Sequence, residues 1–173
     1  VGSEMCIETG TDNSPYVNDA ASYQNIIDQL NKEEHPQFLQ LVTMQNHMTY
    51  DNWYFNNQFE QANVTENLND YERGQINTYA KGVSITAGKI DFLNQLNAMD
   101  KPITVIFYGD HLPSSYQTAA ADKNNTLALH QTDYFIWSNQ ASASAGVKLD
   151  ASNTAYTSPN YFMAVSYTHL RAH

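Results

Sequence analysis

The sequence holds a single cysteine in 173 residues. Cys6 therefore cannot close an internal disulfide, and neither a disulfide scaffold nor a Cys-based metal centre is available. Basic side chains are also scarce: eight Lys and Arg face eighteen Asp and Glu, for a net charge of −10. A chain that acidic repels a phosphate backbone, which argues against nucleic acid as a partner. No apolar run approaches the ~20 residues that cross a bilayer. The chain has no phosphate-cradling glycine-rich loop, no GxSxG, no internal repeat and no heptads. Charged residues amount to 15%, and their place is taken by nineteen Asn and twelve Gln. What is present suffices for one domain, because 42% hydrophobic and 12% aromatic residues rule out disorder and collagen-like structure.

Neither end reads as a natural terminus. There is no initiator Met and no basic-then-apolar signal peptide, and residues 1–15 read as a loop entered midway. Residues 1–165 are taken as the folded part. The last eight, 166–173 (SYTHLRAH), break with the preceding composition and admit two readings: a non-native tail or a cut-off natural helix.

Within 1–165 the pattern predicts an α/β fold. Tyr23, Ile26, Ile27 and Leu30 fall at helical spacing over residues 18–31, with Asn18 or Asp19 as the cap and His35-Pro36 as the stop. Residues 38–44 (FLQLVTM) read as a buried strand. Residues 45–69 form a long polar segment carrying Tyr50, Trp53, Tyr54, Phe55 and Phe59, either walling a groove or covering the core. Residues 71–97 give the clearest helix, with one apolar stripe through Ile76, Tyr79, Ala80, Val83, Ala87, Ile90, Leu93 and Leu96. Its glycines Gly74, Gly82 and Gly88 suit close packing against a sheet. Residues 103–108 (ITVIFY) follow as a strand buried on both faces. Strand, helix and strand make a βαβ unit, hence a mostly parallel sheet with flanking helices. Residues 115–121 read as a short helical turn, 134–138 (YFIWS) as a third strand, 140–146 as a loop and Ser158-Pro159 as a helix start.

The residues best suited to chemistry sit at strand exits. Gly109-Asp110-His111-Leu112-Pro113 follows the best strand, where a parallel sheet presents its ligand crevice. Asp110 offers a hard oxygen and His111 a neutral nitrogen, a normal pair for Mn²⁺ or Zn²⁺. The plainer reading makes Asp110 a turn cap and His111 a loop residue. His47 lies in Thr43-Met44-Gln45-Asn46-His47 at the exit of the other strand, so both groups would reach one edge and suit a phosphate or sulfate ester. The plainer reading of His47, and the favoured one for this residue taken alone, is a loop histidine satisfied by local backbone groups. His130, ahead of Gln131-Thr132-Asp133, reads either as a support behind the site or as a surface residue, His35 reads as a surface turn, and Asn63-Val64-Thr65 and Asn124-Asn125-Thr126 match the glycosylation triplet, which chance supplies often in an Asn-rich chain.

Taken in order, residues 41–51 (LVTMQNHMTYD), the helix around 79–96, 105–113 (VIFYGDHLP), 130–139 (HQTDYFIWSN) and 158–162 (SPNYF) resemble the C-terminal half of the extracellular domain of lipoteichoic acid synthase-like proteins. Those proteins belong to the sulfatase branch of the alkaline phosphatase superfamily. The resemblance implies a partial alkaline phosphatase/sulfatase-like fold, truncated on its N-terminal side. It further implies a membrane-anchored enzyme on the extracellular face of a Gram-positive cell membrane, transferring glycerol phosphate from a phosphatidylglycerol-type lipid to a growing glycerol phosphate polymer. A threonine nucleophile and a Mn²⁺ or other divalent ion would carry the reaction. By the same resemblance, Asp110 and His111 match two metal ligands and His47 the histidine that contacts the phosphoglycerol group. Thr49 stands where the family often has Pro. The nucleophile and a Glu ligand would lie upstream of Val1, so no catalytic nucleophile is assigned here. Two alternatives remain: a sulfatase or phosphodiesterase of the same superfamily, and a non-catalytic cell-wall or glycan-binding module.

Overall fold

In a computed structural model, the described residues are 11–60, 67–87, 91–148 and 156–162. The chain divides into two units: Val1–Phe92 with Pro113–Leu129, and Leu93–Leu112 with His130–His173.

The first unit opens with helix α1 (Asp19–Lys32), one residue from the predicted span. The Asn18 side chain accepts from the Ala21 N–H at 2.9 Å, satisfying one of the donors that a helix start leaves open. Asp19 in the first turn and Lys32 in the last each match the helix dipole. Residues 38–44 depart from expectation. They form no strand, and Phe38 and Val42 are 86% and 66% exposed. An apolar β-branched run becomes a buried strand only when ladder neighbours flank it, and none does so among the described residues.

Helix α2 (Asp70–Ala87) starts on Asn69, whose side chain accepts from the Glu72 N–H at 2.9 Å. The predicted apolar stripe is not its buried face. The buried positions are Glu72, Gln75, Asn77, Thr78 and Gly82, while Val83 is exposed. Glu72 and Thr78 can be inside because their side chains are hydrogen-bonded, whereas Gln75 Oε1 has no partner among the described residues. Glu72 receives the N–H and hydroxyl of Thr118, and Asn77 offers its carbonyl to Asn57 Nδ2 at 2.9 Å. Gly74 and Gly82 also depart from the sheet-packing role expected of them, and Gly88 lies outside the described residues. A Cβ on Gly82 would lie 2.3 Å from Asn46 Oδ1 and 3.1 Å from the Tyr54 hydroxyl, so this glycine admits a loop and not a sheet. Gly74 has nothing within 4 Å of such a Cβ.

The aromatics of 50–54 supply the core. Tyr50, Trp53 and Tyr54 are buried together, with Tyr16, Met48, Tyr79 and Ile85 packed against them. Of the two roles open to this segment, these three rings take the core-covering one. The short helix α4 (Gln117–Ala121), inside the predicted turn, completes the unit and is held to α2 by Thr118 on Glu72.

Helix α3 (Asp91–Asn97) runs into the second unit. The single helix predicted over 71–97 is thus α2 and α3, with residues 88–90 outside the described set. Strands β1 (Thr104–Tyr108) and β2 (Tyr134–Ser138) lie where expected, but they pair antiparallel, with Thr104 opposite Ser138 and Tyr108 opposite Tyr134. This corrects the parallel βαβ reading: the strand that would have paired with β1 in parallel, 38–44, has no ladder, and the described sheet has two strands. β1 is also not buried on both faces, since Phe107 and Tyr108 are exposed. Phe107 stacks on Phe135 across the ladder at 5.1 Å, and Phe162 packs on Tyr108 and Tyr134 at 5.0 and 5.2 Å. Buried Asn139 ties the unit together. Its Nδ2 donates to the carbonyls of Leu96, Met99 and Lys101, and its Oδ1 accepts from the Ile103 N–H. The Ser158-Pro159 start is a 3₁₀ turn, Pro159–Tyr161.

Candidate functional site

Gly109 continues the sheet by one rung beyond β1, donating its N–H to the Asp133 carbonyl at 3.2 Å and accepting from the Thr132 hydroxyl at 2.6 Å. A Cβ there would meet Thr132 Cβ at 3.1 Å, so a small residue is favoured where the chain leaves the strand. Asp110 and His111 come next, both exposed. Asp110 Oδ1 accepts from the His111 N–H at 2.9 Å, which leaves Oδ2 facing His111 Nε2 at 3.6 Å. His111 Nδ1 is 2.9 Å from the Leu112 carbonyl oxygen. A carbonyl only accepts, so Nδ1 carries a proton, and in the neutral ring Nε2 presents its lone pair.

This arrangement fits a divalent cation. A hard carboxylate oxygen and an imidazole nitrogen lie 3.6 Å apart, a separation that two donors about 2.1 Å from one ion can span. The backbone carbonyl on Nδ1 is the outer contact that fixes a ligating imidazole in its tautomer. Among the described residues no group of three or more His, Cys, Asp or Glu gathers around one point.

His47 belongs to the first unit and is half-buried there. Its N–H donates to the Met44 carbonyl at 2.9 Å, closing a turn. Its Nδ1 lies 2.6 Å from the Met48 carbonyl oxygen, so here too Nδ1 is the protonated nitrogen and Nε2 the acceptor. The two residues before it are anchored. Gln45 accepts from the Asp19 N–H at 3.0 Å and donates to the Gly82 carbonyl at 3.1 Å and the Thr86 hydroxyl at 3.0 Å. Asn46 donates to the same hydroxyl at 2.9 Å, and Thr86 donates to Asp19 Oδ2 at 2.6 Å. Burial pushes the Asp19 carboxyl up, against the lowering effect of its hydrogen bonds from Thr86 and the Gln45 backbone.

The phenols around this loop stay protonated. Burial raises Tyr50, Tyr54 and Tyr79, and burial together with the nearby Asp19 charge pushes Tyr23 up to about 12. They are therefore donors: Tyr50 to the Asn46 carbonyl at 3.0 Å and Tyr54 to the Gln45 carbonyl at 3.4 Å. Sequence reasoning had no hold on Asp19, Gln45 or Thr86 as supports of His47, because their contacts span 26 to 67 residues. Of the other histidines, His35 and His130 lie at the surface. His35 lies 3.2 Å from the Pro36 carbonyl and 3.4 Å from Glu33, and exposed His130 ends a 3₁₀ turn. Asn124 of one glycosylation triplet is in an exposed 3₁₀ turn, and Asn63 of the other lies outside the described residues.

The family model of the sulfatases matches residues 3–171. The chain belongs to the sulfatase family. That places it in the alkaline phosphatase superfamily. It is also similar to a protein of Rhizobium meliloti (strain 1021) described as "Putative cyclic beta-1,2-glucan modification protein", at 27% identity over 140 residues, 72% of this chain and 21% of the relative. This sulfatase-family chain thus spans about a fifth of the length of that relative. No solved structure matches it.

Proposed function

We propose that this sulfatase-family chain is part of a divalent-cation-dependent phosphoglycerol transferase acting on a cell-envelope polymer, as in lipoteichoic acid synthesis. Its support is the Gly109-Asp110-His111 exit of β1, where two complementary donors face each other and the imidazole is already in its ligating tautomer. Asp110 and His111 would hold the cation, Mn²⁺ or another divalent ion. When bound, that ion neutralises charge developing on the transferred phosphoryl group. His47 would bind the phosphoglycerol head group of a phosphatidylglycerol-type donor, accepting a hydrogen at Nε2. The nucleophile, a threonine, and the remaining ligands would come from sequence outside this chain, and the whole protein would work on the outer face of a bacterial membrane. The acceptor would be a hydroxyl of a glycerol phosphate polymer. The relative's description as a glucan modification protein adds carbohydrate hydroxyls as a second acceptor class.

The family name itself favours a second reading, hydrolysis of a sulfate ester. The full-length protein, given fluorescent phosphatidylglycerol and Mn²⁺, is expected to release diacylglycerol, and Asp110→Ala should abolish this. Undiminished turnover by Asp110→Ala would refute the ligand assignment. Cleavage of an aryl sulfate with no action on the lipid would replace the transferase with the sulfatase.

A further inference from the structure

We infer that Tyr16 is a positioning residue that holds the His47 imidazole with its proton on Nδ1 and its lone pair on Nε2. The Tyr16 hydroxyl donates to the Met48 carbonyl, the same oxygen that His47 Nδ1 reaches at 2.6 Å. The phenolic oxygen also lies 3.3 Å from Nδ1. Having given its proton to the carbonyl, that oxygen has only lone pairs to turn toward the ring. Nδ1 is thus flanked by two oxygens that can only accept, and a proton on Nδ1 answers both. The alternative tautomer would set a lone pair against two others.

The clamp has a rigid base. Gln45 and Asn46 are tied to α1 and α2 through Asp19, Gly82 and Thr86, and Tyr50 and Tyr54 hold the carbonyls of the same two residues. The Tyr16 ring itself lies edge-on to Trp53 at 5.4 Å and to His47 at 5.6 Å. Among the described residues His47 Nε2 has no hydrogen-bond partner, so the nitrogen left free is the one able to accept from a ligand. The value of the clamp to catalysis rests on the proposed contact between His47 and the donor's phosphoglycerol group; the clamp itself does not.

The test uses full-length protein labelled with ¹⁵N at histidine, wild type and Tyr16→Phe, which keeps the ring and its contact with Trp53. At a pH where the ring is neutral, wild-type His47 should show an N–H-type Nδ1 and a lone-pair-type Nε2. In Tyr16→Phe the two signals should move toward each other as the tautomers mix. The KM for fluorescent phosphatidylglycerol should then rise about three- to tenfold, the worth of one hydrogen bond, with kcat changed less. A wild-type ring protonated on Nε2 overturns the inference even if the variant does not fold. So does a Tyr16→Phe spectrum identical to wild type. Mixed tautomers with an unchanged KM would uphold the clamp and remove His47 from the donor site.

Discussion

Two glycines of α2 carry opposite expectations although they sit eight positions apart on one helix. At Gly74 an added methyl meets open space, so Gly74→Ala should raise stability by about 1 kcal/mol through the backbone freedom it takes from the unfolded chain. At Gly82 the methyl meets Asn46, which cannot simply swing aside because its amide is bonded to Thr86. Gly82→Ala should cost about 1–3 kcal/mol, as overpacking does. Urea midpoints of the two variants measure the difference, and a shift of the same sign in both would undo the packing argument. Neither sign can be read from the sequence, where both are glycines in a helical period. His47 and the Asp110-His111 pair were legible as residue types at element exits. Tyr16 was not, since nothing in its neighbourhood marks it and its partners are 31 and 32 residues away.

Between elements, the attachment of α4 to α2 runs through one carboxylate. Glu72 accepts the Thr118 hydroxyl and N–H, and these bonds hold its carboxyl below the ordinary carboxylate range. A group depressed in the folded state contributes stability that is whole above its unfolded pKa and disappears as the pH falls through the folded one. Denaturant midpoints should therefore drop on acidification below about pH 4.5, and Glu72→Gln should flatten that limb. An acid limb unchanged by Glu72→Gln would deny the anchor. Asp19 slopes the other way: raised by burial, it loses its penalty as the pH falls. Element existence was readable where the cause is local. The Asn18 cap, the β-branched runs of β1 and β2 and the Ser158-Pro159 start each act within a few residues. The partner of β1 was not readable, because residues 38–44 and 134–138 have equally strand-like composition and only pairing separates them.

For the molecule as a whole, the net charge of −10 is the dominant global term. Like charges in one chain repel, and salt screens them within about 10 Å at 0.1 M. Adding 0.5 M NaCl should raise Tm by a few degrees, and a fall would mean that screened attractive pairs outweigh the repulsion. The same surplus of acid over base, the single cysteine and the absence of long apolar runs are properties of composition, and no folding step can alter them. Helix starts are nearly as independent of context, because a cap works on its own backbone, whereas a β-branched run becomes a strand only where a neighbour pairs with it. Which face of α2 is buried, which strand pairs with β1 and which nitrogen of His47 stays free are of another kind. Each depends on groups tens of residues apart competing for the same hydrogen bonds and the same volume, and that competition is resolved only once the chain has folded.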